Sequence, residues 1–306
     1  MTDTDTATSS ATGLSRLLFV GAGVMGAPMI RNLKKAGIPV VAFDARKEVL
    51  DGLAAEGIDV TADARAAARE ADVVVTMLPD TPDVRAVLMG EEGLGAAMMP
   101  GSLVIDMSTI SATGVKEMAG ALAERDIAML DAPVSGGMKG AVAGTLSIMV
   151  GGTAEAFARG RPVLEAMGST IRHVGDIGTG QVFKMCNQLM AASHIQAMCE
   201  AFALCRSFDG DLELLREVLM GGAAGSWMLE NLGPQVLAGD TSAGFRIDLH
   251  LKDLRLANEA AFDKGLPLPG LAMATTLYLE TRAHGEGGNG NQALFRTFDR
   301  MTNQAG

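Results

Sequence analysis

The run Leu17-Leu18-Phe19-Val20 breaks into Gly21-Ala22-Gly23-Val24-Met25-Gly26 and resumes as a helix-compatible stretch over residues 27–36. An apolar strand that turns at once into a helix leaves backbone N–H groups and the positive end of the helix dipole facing outward. Both suit the pyrophosphate of a dinucleotide. Gly21 permits the tight turn, Gly23 lets phosphates approach the backbone, and Gly26 lets helix and strand pack closely. Alone, the pattern fits equally a glycine-rich loop that holds nothing. A second apolar run, 40–43, ends at Asp44, the distance at which a ribose-binding acid is expected. A carboxylate there accepts from a ribose 2′-hydroxyl and repels a 2′-phosphate, so NAD is the expected cofactor. Arg46 keeps NADP open, because a guanidinium beside that acid can hold the phosphate.

The first half of the chain continues the same alternation. Residues 17–20, 40–43, 73–77, 103–106 and 128–130 read as short strands, continuous and partly β-branched as strands buried on both faces should be. Helical stretches such as 63–70 and 111–125 lie between them. Residues 145–150 suggest a further strand, and 168–174 an edge strand. This β/α order predicts an α/β fold with a doubly wound, Rossmann-type sheet. Beyond Gly180 strands disappear. Residues 181–208 form one long helical pattern, and 212–220, 225–236, 248–264 and 271–284 read as helices. The glycine-rich segment 175–180 marks the junction. The expected organisation is a disordered tail over 1–13, a dinucleotide domain over 14–178 and an all-helical domain over 179–306. The helix over 181–208 is apolar around much of its circumference and should be buried on several sides, between the domains or against a second subunit.

Composition excludes several classes. The formal net charge is −11, which disfavours nucleic acid and anionic membrane and requires any anionic substrate to be held by local donors. No apolar run is long enough to span a membrane. The three cysteines, Cys186, Cys199 and Cys205, fall in one helical stretch without a Cys-x-x-Cys pair. They read as buried thiols of a reducing, cytoplasmic setting. His173, His194, His250 and His284 make no metal-ligand spacing, so no metal is expected. His194 is expected in the core. No Gly-x-Ser-x-Gly elbow anchors a hydrolase triad.

Lys184, Asn187 and Gln188 stand at i, i+3 and i+4, which places them on one face of a helix. An ammonium there can give a proton to a carbonyl oxygen, and a neutral amine can take one from a hydroxyl. A solvated helix face has the same spacing. Ser135-Gly136-Gly137 follows a predicted strand, and consecutive glycines at such an end can form a nest of N–H donors suited to a carboxylate. An ordinary glycine turn reads the same way. Met77, Leu78, Pro79, Ser108 and Thr109 follow predicted strands and would line the crevice of a doubly wound sheet.

Five segments carry a family resemblance: Gly21-Ala-Gly-Val-Met-Gly-Ala-Pro-Met29, Asp106-Met-Ser-Thr109, Asp131-Ala-Pro-Val-Ser-Gly-Gly137, Gly178-Thr-Gly-Gln-Val-Phe-Lys-Met-Cys-Asn-Gln188 and His250-Leu-Lys-Asp-Leu254. In this order the chain resembles the β-hydroxyacid dehydrogenases, which include 3-hydroxyisobutyrate dehydrogenase and 2-hydroxy-3-oxopropionate (tartronate semialdehyde) reductase. The resemblance implies an NAD(P)-dependent enzyme that moves hydride between the cofactor and a small β-hydroxyacid or semialdehyde. It implies Lys184 as the acid/base, Ser135, Gly136 and Gly137 at the substrate carboxylate, and Asn187, with Gln188, at the substrate. On the cofactor side it implies Gly21 to Gly26, Asp44, Arg46, Met77 to Pro79, Ser108, Thr109 and Lys252, near the nicotinamide. Phe245 and Trp227 can close the pocket or pack in the core. The resemblance also implies a homodimer or homotetramer. Arg296 and Arg300 stand apart in sequence, so a short substrate without phosphate is expected. The alternatives are a glyoxylate, succinic-semialdehyde or imine reductase on the same scaffold, or a dinucleotide-binding protein without turnover. The retained Lys184 speaks against the last two.

Overall fold

The computed structural model describes residues 16–302; the tail expected over 1–13 lies outside them. The chain divides after Lys184 into two compact units. The first opens with β1 (Leu17–Val20), α1 (Gly26–Lys35), β2 (Val40–Phe43), α2 (Lys47–Ala55), β3 (Asp59–Val60) and α3 (Ala64–Arg69). It continues with β4 (Val73–Thr76), α4 (Thr81–Met89), β5 (Leu103–Asp106), α5 (Ala112–Ala123) and β6 (Ala128–Asp131). Then follow β7 (Val134–Ser135), α6 (Gly137–Ala143), β8 (Leu146–Gly151), α7 (Ala154–Glu165) and β9 (Gly168–Gly175).

The strands form one sheet in the order β3-β2-β1-β4-β5-β6-β8-β7, with β9 beside β8. Strands β1 to β6 run parallel. Strand β8 is antiparallel to β6 and β7, and β9 is parallel to β8. Alternate strand residues feed two separate cores. Leu17, Phe19, Val73, Val75, Leu103 and Ile105 belong to one; Leu18, Val20, Val74 and Val104 belong to the other. Both faces are covered, so the strands read in sequence as unbroken apolar runs. From β1 the chain builds outward through β2 and β3, then returns to add β4 on the other side. That reversal opens a crevice at the carboxyl ends of β1 and β4, where such sheets bind ligands.

The helical pattern of residues 181–208 is α8 (Thr179–Arg206), which begins in the first unit and runs into the second. The second unit adds α9 (Leu212–Met220), α10 (Trp227–Asn231), α11 (Gly233–Leu237), α12 (Ile247–Asp263), α13 (Pro269–Thr281) and α14 (Phe295–Met301). Ala192, Ile195, Cys199 and Phe202 of α8 pack with Leu254, Leu271 and Tyr278 in its core.

Several expectations need correction. The single helix expected over 225–236 is two, because Gly233 and Pro234 restart it: proline cannot donate the interior hydrogen bond but suits a first turn. The last predicted helix stops at Thr281, and His284 lies in a π-turn containing Gly285 at φ 81°. His194 is exposed, since it stands outside the buried stripe of α8. Of the cysteines only Cys199 is buried; Cys186 is exposed and Cys205 half-buried. In the single chain the helix over 181–208 leaves Val182, Phe183, Met190 and Leu204 exposed, which does not bear on the expected burial against a second subunit. No described helix is long and apolar enough to cross a membrane.

Candidate active site

The glycine-rich turn has the shape a pyrophosphate needs. Gly21 adopts φ 99°, and a Cβ there would collide with the Met77 carbonyl, so the β1 turn and the loop after β4 touch backbone to backbone. A Cβ on Gly26 would strike the Gly21 carbonyl. At Gly23 a Cβ would meet nothing nearer than Arg46 Nη2 at 3.8 Å, and that open space is where a phosphate can approach the backbone. Helix α1 has no side-chain cap and no acid in its first turn, which leaves its amino end suited to an anion. Val24 is exposed and Met25 half-buried above this turn.

Asp44 follows β2 and is 8 % exposed. Its Oδ2 accepts from Ala22 N at 2.9 Å and its Oδ1 from Arg46 N at 3.0 Å. The Arg46 guanidinium grips the same carboxylate at 2.9 and 3.0 Å. Burial works to raise the Asp44 pKa, but the Arg46 side chain and the two N–H groups outweigh it and hold the carboxyl below its ordinary value. Arg46 itself is 55 % exposed. The two residues thus meet as one clamp beside Ala22, and they fit the ribose end of a nicotinamide dinucleotide.

A chain of buried polar groups ties the other crevice loops together. Strand β5 ends at Asp106, which is fully buried. Its Oδ1 accepts from Thr76 Oγ1 at 2.7 Å and from Ser108 Oγ at 2.6 Å. Ser108 Oγ in turn accepts from Leu78 N at 2.9 Å. The Asp106 hydrogen bond thus sets the direction in which Ser108 receives the Leu78 amide. Met77, Leu78 and Pro79 after β4 and Ser108 after β5 form one connected rim; Thr109 follows in the chain. Asp106 Oδ2 has no hydrogen-bond partner among the described residues. Burial pushes the Asp106 carboxyl up to about 6, against the hydrogen bonds from Thr76 Oγ1, Ser108 Oγ and Ser108 N.

Asp131 ends β6 in register with Asp106. Its Oδ1 accepts from Gly178 N at 2.7 Å and its Oδ2 from Gln181 N at 2.8 Å, so it caps the amino end of α8 from another element. Burial raises this carboxyl to about 6 as well. Cβ atoms at Gly151 or Gly180 would run into Asp131, so the glycines are what let β6, β8 and α8 converge. Gln181 closes the stitch: its Oε1 accepts from Ile110 N at 3.1 Å and its Nε2 donates to Ser108 O at 2.9 Å. Lys184, 7 % exposed, follows three residues later on the same helix. Sequence reasoning gave Asp106, Asp131 and Gln181 no role. Strand-final aspartates after apolar runs were the available signal.

Ser135 lies in β7 opposite Ser147, and Gly136 and Gly137 take φ 126° and 59° before α6. Only glycine adopts such angles without strain. In the second unit Asn187 donates to Gln188 Oε1 at 2.7 Å, and Gln188 donates to Asp253 Oδ2 at 2.6 Å. Lys252 pairs with Asp253 at 2.8 Å. Asp253 is buried and the Lys252 side chain is 16 % exposed. Phe245 packs against the buried His250 ring at 5.5 Å, and Trp227 is exposed. Arg296 and Arg300, expected apart, meet on Glu286, and Glu280 takes the rest of the Arg300 charge.

Two family models cover most of the chain. The NAD-binding domain of 6-phosphogluconate dehydrogenase matches residues 16–175, and the NAD-binding region of NADP-dependent 3-hydroxyisobutyrate dehydrogenase matches 178–298. The NAD-dependent L-serine dehydrogenase of Pseudomonas aeruginosa is 42 % identical over 87 % of this chain and 91 % of its own. The 2-hydroxy-3-oxopropionate reductase of Escherichia coli is 38 % identical over 94 % and 98 %. A structure of Mycobacterium tuberculosis 3-hydroxyisobutyrate dehydrogenase with L-serine matches with a TM-score of 0.86 and 37 % identity, over 92 % of this chain and 98 % of that one. A dinucleotide cradle on a doubly wound sheet, followed by a helical unit and matched by these relatives, defines an NAD(P)-dependent oxidoreductase acting on CH–OH groups. Within that class the chain belongs to the β-hydroxyacid dehydrogenase family.

Proposed function

We propose that the chain oxidises a three- or four-carbon β-hydroxyacid, or reduces the matching semialdehyde, with Lys184 transferring the proton. One observation carries this reading. Lys184 is a buried lysine on the helix whose first turn is fixed by Asp131 and Gln181 to the rim of the cofactor crevice. The nicotinamide, when bound, supplies or accepts the hydride. Gly21 to Gly26 hold its pyrophosphate and Asp44 with Arg46 its adenosine ribose. Met77 to Pro79, Ser108 and Thr109 line the crevice, and Lys252 and Phe245 belong to the nicotinamide end.

The substrate carboxylate is held by the Ser135 hydroxyl and the N–H groups of Gly136 and Gly137, the local donors that a chain of net charge −11 requires. Asn187 orients the hydroxyl. In reduction Lys184 Nζ gives a proton to the carbonyl oxygen; in oxidation it takes one from the hydroxyl. The relatives act on L-serine and 2-hydroxy-3-oxopropionate by name, and 3-hydroxyisobutyrate has the same placement of hydroxyl and carboxylate. The test offers NAD with L-serine, 3-hydroxyisobutyrate, glycerate and threonate, and NADH with 2-hydroxy-3-oxopropionate, following NADH absorbance. Turnover of one of these acids is expected. Silence across the panel with NADH still bound would overturn the reading.

We further propose that the chain works as a homodimer or homotetramer. The exposed Val182, Phe183, Met190 and Leu204 along α8 support self-association. Light scattering at assay concentration should give a multiple of the 31.6 kDa chain mass, and a monomer mass would contradict it.

A further inference from the structure

Gln188 is gripped twice by α12. His250 Nε2 lies 3.1 Å from the Gln188 backbone carbonyl, an acceptor, so that nitrogen carries the proton. On its other side His250 Nδ1 lies 2.9 Å from the Tyr278 hydroxyl and 3.2 Å from the Asn291 carboxamide. Burial holds the Tyr278 phenol well above its ordinary pKa, so it remains a donor to Nδ1. One turn along α12, the carboxylate of Asp253 receives the Gln188 side chain at 2.6 Å. Gln188, His250, Asp253 and Tyr278 are all buried.

A carboxamide can bind either way round, because its two ends differ in chemistry but hardly in shape. Asp253 removes that freedom. A carboxylate only accepts, so the Gln188 NH₂ must face it and Gln188 Oε1 must face the other way. Gln188 Oε1 only accepts, so the Asn187 NH₂ must turn to it, at 2.7 Å. The Asn187 carbonyl is therefore turned away from Gln188. Nothing in the Asn187–Gln188 pair alone sets this direction; the acid at the end of the chain does.

We infer that Asp253 is a positioning residue which, acting through Gln188, fixes the Asn187 carboxamide with its oxygen presented to the substrate hydroxyl. The inference rests on the reading above that Asn187 binds that hydroxyl. It adds a buried residue, with no substrate contact of its own, that sets which substrate group Asn187 can accept from. A substrate hydroxyl donates to the Asn187 oxygen; with the amide reversed, an N–H would face the hydroxyl instead.

The test is a double-mutant cycle on the full-length protein with NAD and the working hydroxyacid. Asp253→Leu, which leaves the Gln188 amide no acceptor at 253, should raise the KM for the acid about tenfold, the value of one lost net hydrogen bond. In an Asn187→Ala background the same Asp253→Leu change should leave KM where Asn187→Ala put it, because coupled residues are not additive. Gln188→Leu should reproduce the Asp253→Leu effect on KM and serves in its place if that variant does not fold. An undiminished tenfold effect in the Asn187→Ala background, or an unchanged KM in both Asp253→Leu and Gln188→Leu, would overturn the inference. The proposed catalytic reading fails separately, if Lys184→Ala retains normal turnover.

Discussion

In the first unit the buried Asp131 meets backbone N–H groups; in the second the buried Asp253 meets a side-chain amide and an ammonium. Asp131 holds Gly178 N and Gln181 N, and Asp106 holds Ser108 and Thr76. Asp253 holds Gln188 and Lys252. Backbone partners have little freedom to move, so the first arrangement fixes the start of α8 against the sheet. Side-chain partners can rotate, so the second fixes the orientation of a group and not the path of the chain. The strand-end acids differ among themselves too. Asp44 lies beside a guanidinium and its pKa falls; at Asp106 and Asp131 burial outweighs the hydrogen bonds and raises both to about 6.

The largest effect in this comparison is expected at Asp131. Asp131→Ala strips two buried N–H groups of their acceptor, at about 1–3 kcal/mol each. The urea unfolding midpoint should fall accordingly, and turnover should fall with it as α8 loses its anchor. A loss of under about 1 kcal/mol would break the claim that backbone pairing carries structure here.

A second expected effect is on pH dependence. The folded pKa of Asp106 lies above its ordinary value, so the folded state binds the proton more tightly than the unfolded one. The resulting stability is present below about pH 4 and is lost as pH rises through about 6. Its size is on the order of 3 kcal/mol. Asp106→Asn should therefore flatten the change in unfolding midpoint between pH 4 and 7, because a carboxamide does not titrate. An unaltered slope would show that other groups set it.

Smaller effects fall at the clamp near the surface. Asp44→Ala should cost NAD about tenfold in affinity through the lost charged hydrogen bond, and NADP less, since the negative charge beside its phosphate goes too. Titration with both cofactors measures the ratio. Arg46→Ala should shift the unfolding midpoint by under about 1 kcal/mol, because half-exposed ion pairs contribute little. A larger shift would move Arg46 from the ligand side of the clamp to the structural side.

Much of the architecture was legible in the sequence because strands buried on both faces need unbroken apolar runs, and 17–20, 40–43 and 103–106 are such runs. Strands β3 and β7 were missed: each has two residues, too few for a pattern. The break at Gly233-Pro234 was visible but lost in a longer helical reading. His194 was placed in the core, although the stripe Ala192, Ile195, Cys199, Phe202 runs one position off it. In the candidate site the i, i+3, i+4 spacing of Lys184, Asn187 and Gln188 was legible because it is local. Their support was not, because its partners are distant in sequence: Asp131 lies 50 residues from Gln181, and Asp253 lies 65 from Gln188. A single sequence carries no local signal for such pairings.

The central claim is that Lys184 moves the proton. The direct measurement is turnover of Lys184→Ala with the working hydroxyacid, alongside NADH binding by the same variant. The account predicts a fall in kcat of roughly 10²–10⁴-fold with NADH affinity nearly unchanged. Turnover within a few-fold of the parent would contradict it and remove Lys184 from the chemistry.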